Sequence, residues 1–258
     1  MKRYAFILLF FLLSGLFLNA QDFYFVQITD THLRYRNHTE VTNKIVESIN
    51  NLPFDIGFVV HTGDIFQNNL HDQAAVNEFY TMKENLNLPL YVVPGNHDLL
   101  PQNYDTLVSR YQEKIGPLNQ IKYYDSVSLI LFYSIPFADT LLPDVETQKQ
   151  WIEHSLSRLK DEQVLLFHHQ PSVPDFYLNK LHESWPEAMY KYWVDLLNKY
   201  QVDAVITGHF HRDEHHYLGE VPLYVSSSIA GFWGRQASFR VYHYQQGKLS
   251  YQTVYYNE

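Results

Sequence analysis

Five apolar segments of this 258-residue chain are each followed at once by aspartate, asparagine or histidine. These polar residues are Asp30, His32, Asp64, Asn96, His168, His209 and His211. Imidazole, carboxylate and amide oxygen together suit divalent ions such as Zn²⁺, Mn²⁺ and Fe²⁺. One ion seldom takes more than three or four protein ligands, so these residues predict a site for two ions. Two ions that share one carboxylate lie ~3.5–4 Å apart, the spacing used for in-line displacement at phosphorus.

The polar residues can act together only if the elements before them bring them to one place. The apolar runs have the character of strands, at residues 23–28, 56–61, 90–94, 129–136, 163–167 and 203–207. Between most of them lie segments whose apolar residues have the spacing typical of helices, at residues 42–52, 73–86, 146–159 and 187–199. Continuous apolar strands that alternate with helices predict an α/β fold with strands buried on both faces. Ligands bind at the carboxyl ends of such strands, so we expect the polar residues to converge.

After residue 220 the pattern changes from alternating strands and helices to strands alone. Residues 223–229, 238–244 and 249–256 have the composition of antiparallel strands, and a Gln-Gly-Lys turn joins the last two. We therefore expect mixed sheets, with the helices mainly in the first two thirds of the chain.

The polar blocks resemble those of the calcineurin-like metallophosphoesterases. That family shows Asp-x-His, Gly-Asp, Gly-Asn-His-(Glu/Asp), His and Gly-His-x-His, each after a strand. Here the blocks are Asp30-Thr31-His32, Gly63-Asp64, Gly95-Asn96-His97-Asp98, His168 and Gly208-His209-Phe210-His211, in the same order. The resemblance covers residues 23–211 and implies an α/β/β/α sandwich of two mixed β-sheets flanked by helices.

The resemblance also implies a role for each residue. One ion would be held by Asp30, His32 and His211, the other by Asn96, His168 and His209, and Asp64 would bridge them. We assign His168 as the ligand because it directly follows the strand, and place its neighbour His169 behind it. His97 resembles the catalytic histidine of the family, and Asp98 is expected to hydrogen-bond its imidazole and set its tautomer.

The function implied is that of a phosphoesterase with two divalent metal ions, Mn, Fe or Zn, acting on phosphomonoesters or small phosphodiesters. A cyclic-nucleotide phosphodiesterase is one specific alternative within that class. Another is a metal-binding module without catalysis, against which the presence of His97, Asp98 and all the ligand positions argues. A metal-dependent amidohydrolase barrel would need eight βα units, and this chain has too few helices.

The N-terminal segment predicts export. Lys2 and Arg3 precede an apolar run, and Ala20 stands before the polar Gln21, the layout of a cleaved secretory signal. We therefore expect residues 1–20 to be a signal peptide and residues 21–258 to form one metallophosphoesterase domain, periplasmic or extracellular. A retained N-terminal anchor is the alternative.

Composition narrows the classes of partner. The chain has no cysteine, which excludes disulfides, thiolate chemistry and a lipid-modified cysteine. Loss of residues 1–20 removes two basic groups and no acid, so the formal charge goes from −9 to −11. An acidic chain argues against binding nucleic acid, and no later stretch has the ~20 apolar residues of a membrane span. We expect a small phosphate ester as the partner.

Overall fold

The computed structural model describes residues 22–139, 142–178, 182 and 184–256. The expected signal peptide, residues 1–20, lies outside the described residues, so its prediction stays a prediction. Within those ranges, every helix is too short or too polar to cross a bilayer.

Eleven strands and six helices are found in the described part of the chain. The strands are β1 (Asp22–Ile28), β2 (Ile56–His61), β3 (Leu90–Val92), β4 (Gln120–Tyr124), β5 (Val127–Leu131), β6 (Gln163–Phe167), β7 (Ala204–Thr207), β8 (Glu214–Leu218), β9 (Val221–Val225), β10 (Ser238–Gln245) and β11 (Lys248–Tyr255). The helices are α1 (His38–Asn50), α2 (Gln73–Asn85), α3 (Tyr104–Lys114), α4 (Ile135–Ala138), α5 (Val145–Arg158) and α6 (Glu187–Lys199). The expected run 129–136 divides into the end of β5 and the start of α4, where Pro136 favours the first helical turn.

The strands form two mixed sheets. One has the order β11-β10-β1-β2-β3, with β1, β2 and β3 parallel and β10 antiparallel to both of its neighbours. The other has the order β4-β5-β6-β7-β9-β8, in which β5, β6, β7 and β9 are parallel and the two edge strands are antiparallel. All the parallel strands of a sheet end at the same edge, which is where the polar residues follow them.

Three apolar layers hold the sheets and helices together. Residues of α1, α2 and α3 pack on the outer face of the first sheet, and residues of α5 and α6 pack on the outer face of the second. The layer between the sheets is rich in aromatic rings: Phe25 stacks on Phe58 at 5.1 Å and on Tyr242 at 4.9 Å between ring centroids. The predicted α/β/β/α sandwich is confirmed.

Strand β6 shows how the alternation of side chains divides these layers. Leu165 and Phe167 face the other sheet, whereas Val164 and Leu166 face the helices. Successive side chains of a strand point to opposite faces, so the residue two positions after Phe167 also faces the other sheet. This alternation decides which of the two following histidines reaches the edge between the sheets.

Candidate metal centre

A first cluster of possible metal ligands follows β1 and β7. His211 Nε2 lies 3.0 Å from Asp30 Oδ1, and His32 Nε2 lies 3.8 Å from the same oxygen. All three side chains are buried. Their donor atoms lie close enough together to hold one ion.

A second cluster lies beside it and consists of Asp64, His169 and His209. His169 Nε2 lies 3.2 Å from Asp64 Oδ2. The same carboxylate oxygen is 3.8 Å from His32 Nε2 of the first cluster. One oxygen of Asp64 therefore stands between the two clusters, where a bridging ligand must be.

Hydrogen bonds orient both carboxylates so that one oxygen of each remains available. Asp30 Oδ2 accepts from the Thr29 hydroxyl at 2.7 Å and from the His209 backbone N–H at 3.1 Å. Asp64 Oδ1 accepts from the His97 backbone N–H at 2.8 Å. Asp30 Oδ1 and Asp64 Oδ2 are buried and face ring nitrogens, His211 Nε2 at 3.0 Å and His169 Nε2 at 3.2 Å. Buried carboxylate oxygens are costly unless they are satisfied, and either a cation or a proton on the facing imidazole would satisfy them.

The backbone carrying these residues is strained. Five of the candidate ligands have positive φ, between 42° and 70°: Asp30, His32, Asp64, His209 and His211. Such conformations cost of order 1–3 kcal/mol each in residues other than glycine, and they cluster at functional sites. Gly63, with φ at +98°, also allows close approach, because a Cβ there would lie 2.7 Å from His169 Nδ1.

Charge and burial set the protonation of the two clusters. Burial lowers the pKa of His32 to about 3, against the pull of Asp64 and Asp30, so its imidazole is neutral. Burial also acts against a charge on His169, but the carboxylates of Asp64 and Asp30 outweigh it and raise the pKa of His169 to about 9. Burial opposes ionisation of Asp64 too, yet the neighbouring His169 holds its pKa well below the usual range. An ion bound at the second cluster must therefore displace a proton from His169.

Asn96 completes the set of oxygen donors. Its Oδ1 atom is buried without a hydrogen-bond partner in the described part of the chain, and the residue lines the cleft above the clusters. The donors are thus imidazole nitrogen, carboxylate and amide oxygen, which fit borderline and hard divalent ions. The residues present fit a pair of such ions.

The structure corrects one predicted ligand. His168 does not reach the clusters: its Nδ1 atom lies 3.2 Å from the Ser134 hydroxyl, and its ring packs against Trp185 and Trp193. His169 stands with Asp64 instead. The physical reason is the alternation along β6, which continues past the strand end and turns His168 toward the helices.

The structure also corrects the predicted partner of His97. Asp98 does not bond the imidazole; its carboxylate accepts from the backbone N–H groups of Phe66 and Gly95, each at 2.8 Å. Burial and the charge of Asp64 raise the pKa of Asp98 to about 7. The Nδ1 atom of His97 bonds Asn68 Oδ1 at 2.7 Å instead. Asp98 thus shapes the turn that carries His97, and Asn68 orients the ring.

An open cleft of about 680 Å³ lies over the two clusters. His32, Asp64, Asn96, His97, His209 and His211 line its floor. Its walls are largely apolar, with Leu99, Ile135 and Leu142 among the residues on one part and Phe232 and Trp233 on another. Gln170 and His182 also line it, and neither of them belongs to the polar blocks from which the metal site was predicted.

Comparison with known proteins decides the family. The family model described as calcineurin-like phosphoesterase matches residues 23–213. The chain is a calcineurin-like phosphoesterase. Membership of a family of metal-dependent phosphoric ester hydrolases, predicted from the polar blocks, is thereby confirmed.

Curated relatives of this calcineurin-like phosphoesterase carry diesterase names. A probable glycerophosphodiester phosphodiesterase, GpdQ, of Arcobacter nitrofigilis is 29% identical over 202 residues, which are 72% of this chain and 71% of that protein. The 3',5'-cyclic adenosine monophosphate phosphodiesterase CpdA of Escherichia coli K12 is 28% identical over 155 residues, or 57% of this chain. The second match spans 54% of CpdA, about half its length.

Solved structures show the same fold. GAP50 of Plasmodium superposes with a TM-score of 0.67 at 15% identity, over 91% of this chain and 84% of that one. A dimetal phosphatase from Danio rerio superposes with a TM-score of 0.62 at 16% identity, over 91% and 99% of the two chains. At these identities the likeness concerns the fold alone.

Proposed function

We propose that this chain is an exported phosphoesterase with two metal ions that hydrolyses small phosphodiesters or phosphomonoesters. The single observation that carries the proposal is the position of Asp64 Oδ2, 3.2 Å from His169 Nε2 and 3.8 Å from His32 Nε2. One carboxylate oxygen in contact with both clusters is what a pair of ions with a shared ligand requires. Asp30, His32 and His211 would hold one ion, and Asn96, His169 and His209 the other.

Two divalent ions in such a pair supply Lewis acidity toward phosphate oxygens and activate water as a nucleophile. The side chains of the protein bind and orient the ester around them. His97 lines the cleft, and its bond to Asn68 leaves Nε2 as the nitrogen free for substrate. Asn68 Oδ1 can only accept, so Nδ1 carries a proton, and Nε2 would stabilise a phosphoryl oxygen or protonate the leaving oxygen from the doubly protonated ring.

The cleft favours a small organic ester over a nucleic acid. Its described lining residues include no lysine or arginine, and the whole chain has a formal charge of −9. A protein that binds the phosphate backbone of a polymer normally carries a basic patch. The curated relatives with diesterase names support diesters as the first class of substrate.

Export rests on the N-terminal residues. Lys2, Arg3 and the apolar run that follows have the order of a secretory signal, and Ala20 supplies the small residue before cleavage. N-terminal sequencing of the protein recovered from cell fractions tests this part. A periplasmic or extracellular protein that begins at Gln21 supports it, and an intact N-terminus in the membrane fraction contradicts it.

The enzymatic part is tested by hydrolysis after metal removal and reloading with Mn²⁺. We would compare an aryl phosphodiester, an aryl phosphomonoester and a cyclic nucleotide, with Asp64→Asn as the control. Turnover that the control lacks supports the proposal, and the ratio among the three esters assigns the subclass. Two bound ions without turnover of any ester would favour a metal-binding module instead.

A further inference from the structure

The space between the sheets changes from aromatic to polar just below the metal centre, and Gln27 lies at that boundary. On the same face of β1, Phe23 and Phe25 precede it within the aromatic layer. Gln27 is fully buried. A buried amide is retained at such a position only when its hydrogen bonds are made.

All the polar atoms of the Gln27 side chain have partners. Its Nε2 atom donates to the Thr62 hydroxyl and to the Thr207 carbonyl oxygen, each at 2.8 Å. Its Oε1 atom accepts from the Tyr242 hydroxyl at 3.0 Å. Thr62 follows β2 of the first sheet and Thr207 ends β7 of the second, so this one side chain connects the two sheets at their carboxyl edge.

Both connected threonines stand two residues before a residue of the second cluster. Thr62 precedes Asp64, and Thr207 precedes His209. The Thr62 carbonyl oxygen also accepts from His169 Nδ1 at 2.7 Å, which leaves His169 Nε2 for Asp64. The bonds of Gln27 therefore lead to each of the three residues of the second cluster.

Other buried groups fix the orientation of Gln27 in turn. Arg240, fully buried, donates to the Tyr242 hydroxyl at 3.2 Å and pairs with Asp213 at 3.0 Å. Its guanidinium lies over the Tyr251 ring at 4.1 Å. Because Arg240 occupies the acceptor side of the Tyr242 hydroxyl, the hydroxyl proton points to Gln27. The amide of Gln27 consequently directs its two N–H groups to Thr62 and Thr207.

We propose that Gln27 is a positioning residue for the metal pair, which holds the segments of Asp64 and His209 at the spacing the second ion needs. The inference rests on the proposed two-ion site but concerns metal affinity, which is measured without any ester. Groups that orient metal ligands typically contribute 10–100-fold in affinity. The two N–H groups of Gln27 go to Thr62 and Thr207 and not to Asp30, His32 or His211, so the first site should be affected less, through the shared Asp64 alone.

The test is Mn²⁺ titration of the metal-stripped protein by calorimetry, with unfolding temperatures of the metal-free forms. We expect Gln27→Met to weaken one of the two sites about 10–100-fold and the other site less, since the two sites share Asp64. Thr62→Val, which removes a single hydroxyl at nearly constant shape, should weaken the same site less. The matched control is Gln148→Met, since Gln148 is also buried but bonds Asn119 on the outer side of the fold. It should lower the unfolding temperature yet bind both ions like the wild type.

Wild-type affinity at both sites of a folded Gln27→Met protein would overturn the inference. If that variant does not fold, Thr62→Val decides in the same way, because unchanged affinity there would also overturn it. A fall in affinity equal to that of Gln148→Met would show a general structural effect and count against a positioning role. Wild-type protein that binds fewer than two ions would instead contradict the proposed function, so the two failures are distinguishable.

Discussion

The two ends of the space between the sheets are built by the same strands but hold different chemistry. At one end, rings such as Phe25, Phe58 and Tyr244 fill the layer and stack on neighbouring rings. At the other end, the residues that follow the same strands are carboxylates and imidazoles, and several of them have positive φ and a buried donor or acceptor atom that makes no hydrogen bond within the described part of the chain. The close-packed aromatic end thus supports the strained polar end. Close-packed rings keep the sheets at a fixed separation, which the ligands of both sheets need.

The polar end depends first on Asp64, so Asp64→Asn should have the largest effect. An amide lacks the charge that lies between the two clusters, and we expect a loss of at least ~10³-fold in hydrolysis together with loss of one bound ion. Metal analysis by mass spectrometry and an ester assay measure both. A variant that keeps two ions and near wild-type turnover would contradict the bridging role.

His168 and His169 are adjacent in the chain but lie in different environments, one in the helical layer and the other at the second cluster. His169→Gln should weaken metal binding by at least ~100-fold, since it removes a direct ligand. His168→Gln should leave metal affinity nearly unchanged and lower the unfolding temperature, because that ring lies between Ser134 and the tryptophans of the helical layer. Mn²⁺ titration and thermal unfolding of the pair test this, and the opposite assignment follows if His168→Gln loses the ion.

This dipeptide also shows what the sequence could and could not predict. Strand β6 is predicted with the bounds that the structure has, Gln163–Phe167, but its continuous apolar run does not show which side chains face which layer. Proximity to the strand end favoured His168, whereas the alternation, continued by two residues, favours His169. The two-sheet fold and most of the candidate ligands followed from strand ends that share one edge.

The hydrogen-bond partners of His97 and Asp98 could not be predicted from the pattern of strands. Asn68 reaches His97 through a turn after β2 with φ of +59° at Asn68 itself, and no periodic pattern encodes that approach. Asp98 bonds backbone N–H groups, which every residue has, so its residue type did not distinguish this role from contact with an imidazole. The network of Gln27 likewise depends on strands distant in the chain, β1 and β10.

His97 separates binding from catalysis at the polar end. His97→Ala should keep both ions and lower kcat about 100-fold, because the ring lines the cleft but is not among the clustered donors. Asn68→Ala should lower kcat less, since the ring remains but loses its hydrogen bond. Steady-state kinetics with metal analysis measure the effect. Unchanged turnover in His97→Ala would mean that this imidazole has no catalytic role here.

Proton competition should make metal affinity depend on pH. The pKa of His169 is raised to about 9, so below that value the imidazole is protonated in the metal-free protein and an entering ion must displace the proton. The affinity of the second cluster for Mn²⁺ should therefore fall about tenfold for each unit by which the pH is lowered from about 9 to 6.5. Calorimetry in buffers of different ionisation enthalpy should detect proton release near pH 7. An affinity independent of pH over this range would contradict the assignment of His169.

The aromatic end should respond in the opposite way, with stability and little else. Phe25→Leu removes a ring that stacks on Phe58 and Tyr242 and does not belong to the clustered donors, and we expect it to lower the free energy of unfolding by about 1–3 kcal/mol. Metal affinity should stay within about twofold of the wild type, because the remaining rings still set the distance between the sheets. Urea unfolding and Mn²⁺ titration measure the two effects separately. If the free energy of Mn²⁺ binding fell by as much as the free energy of unfolding, the two ends would act as one cooperative unit. The view that the aromatic end supports the fold without affecting the metal site would then be wrong.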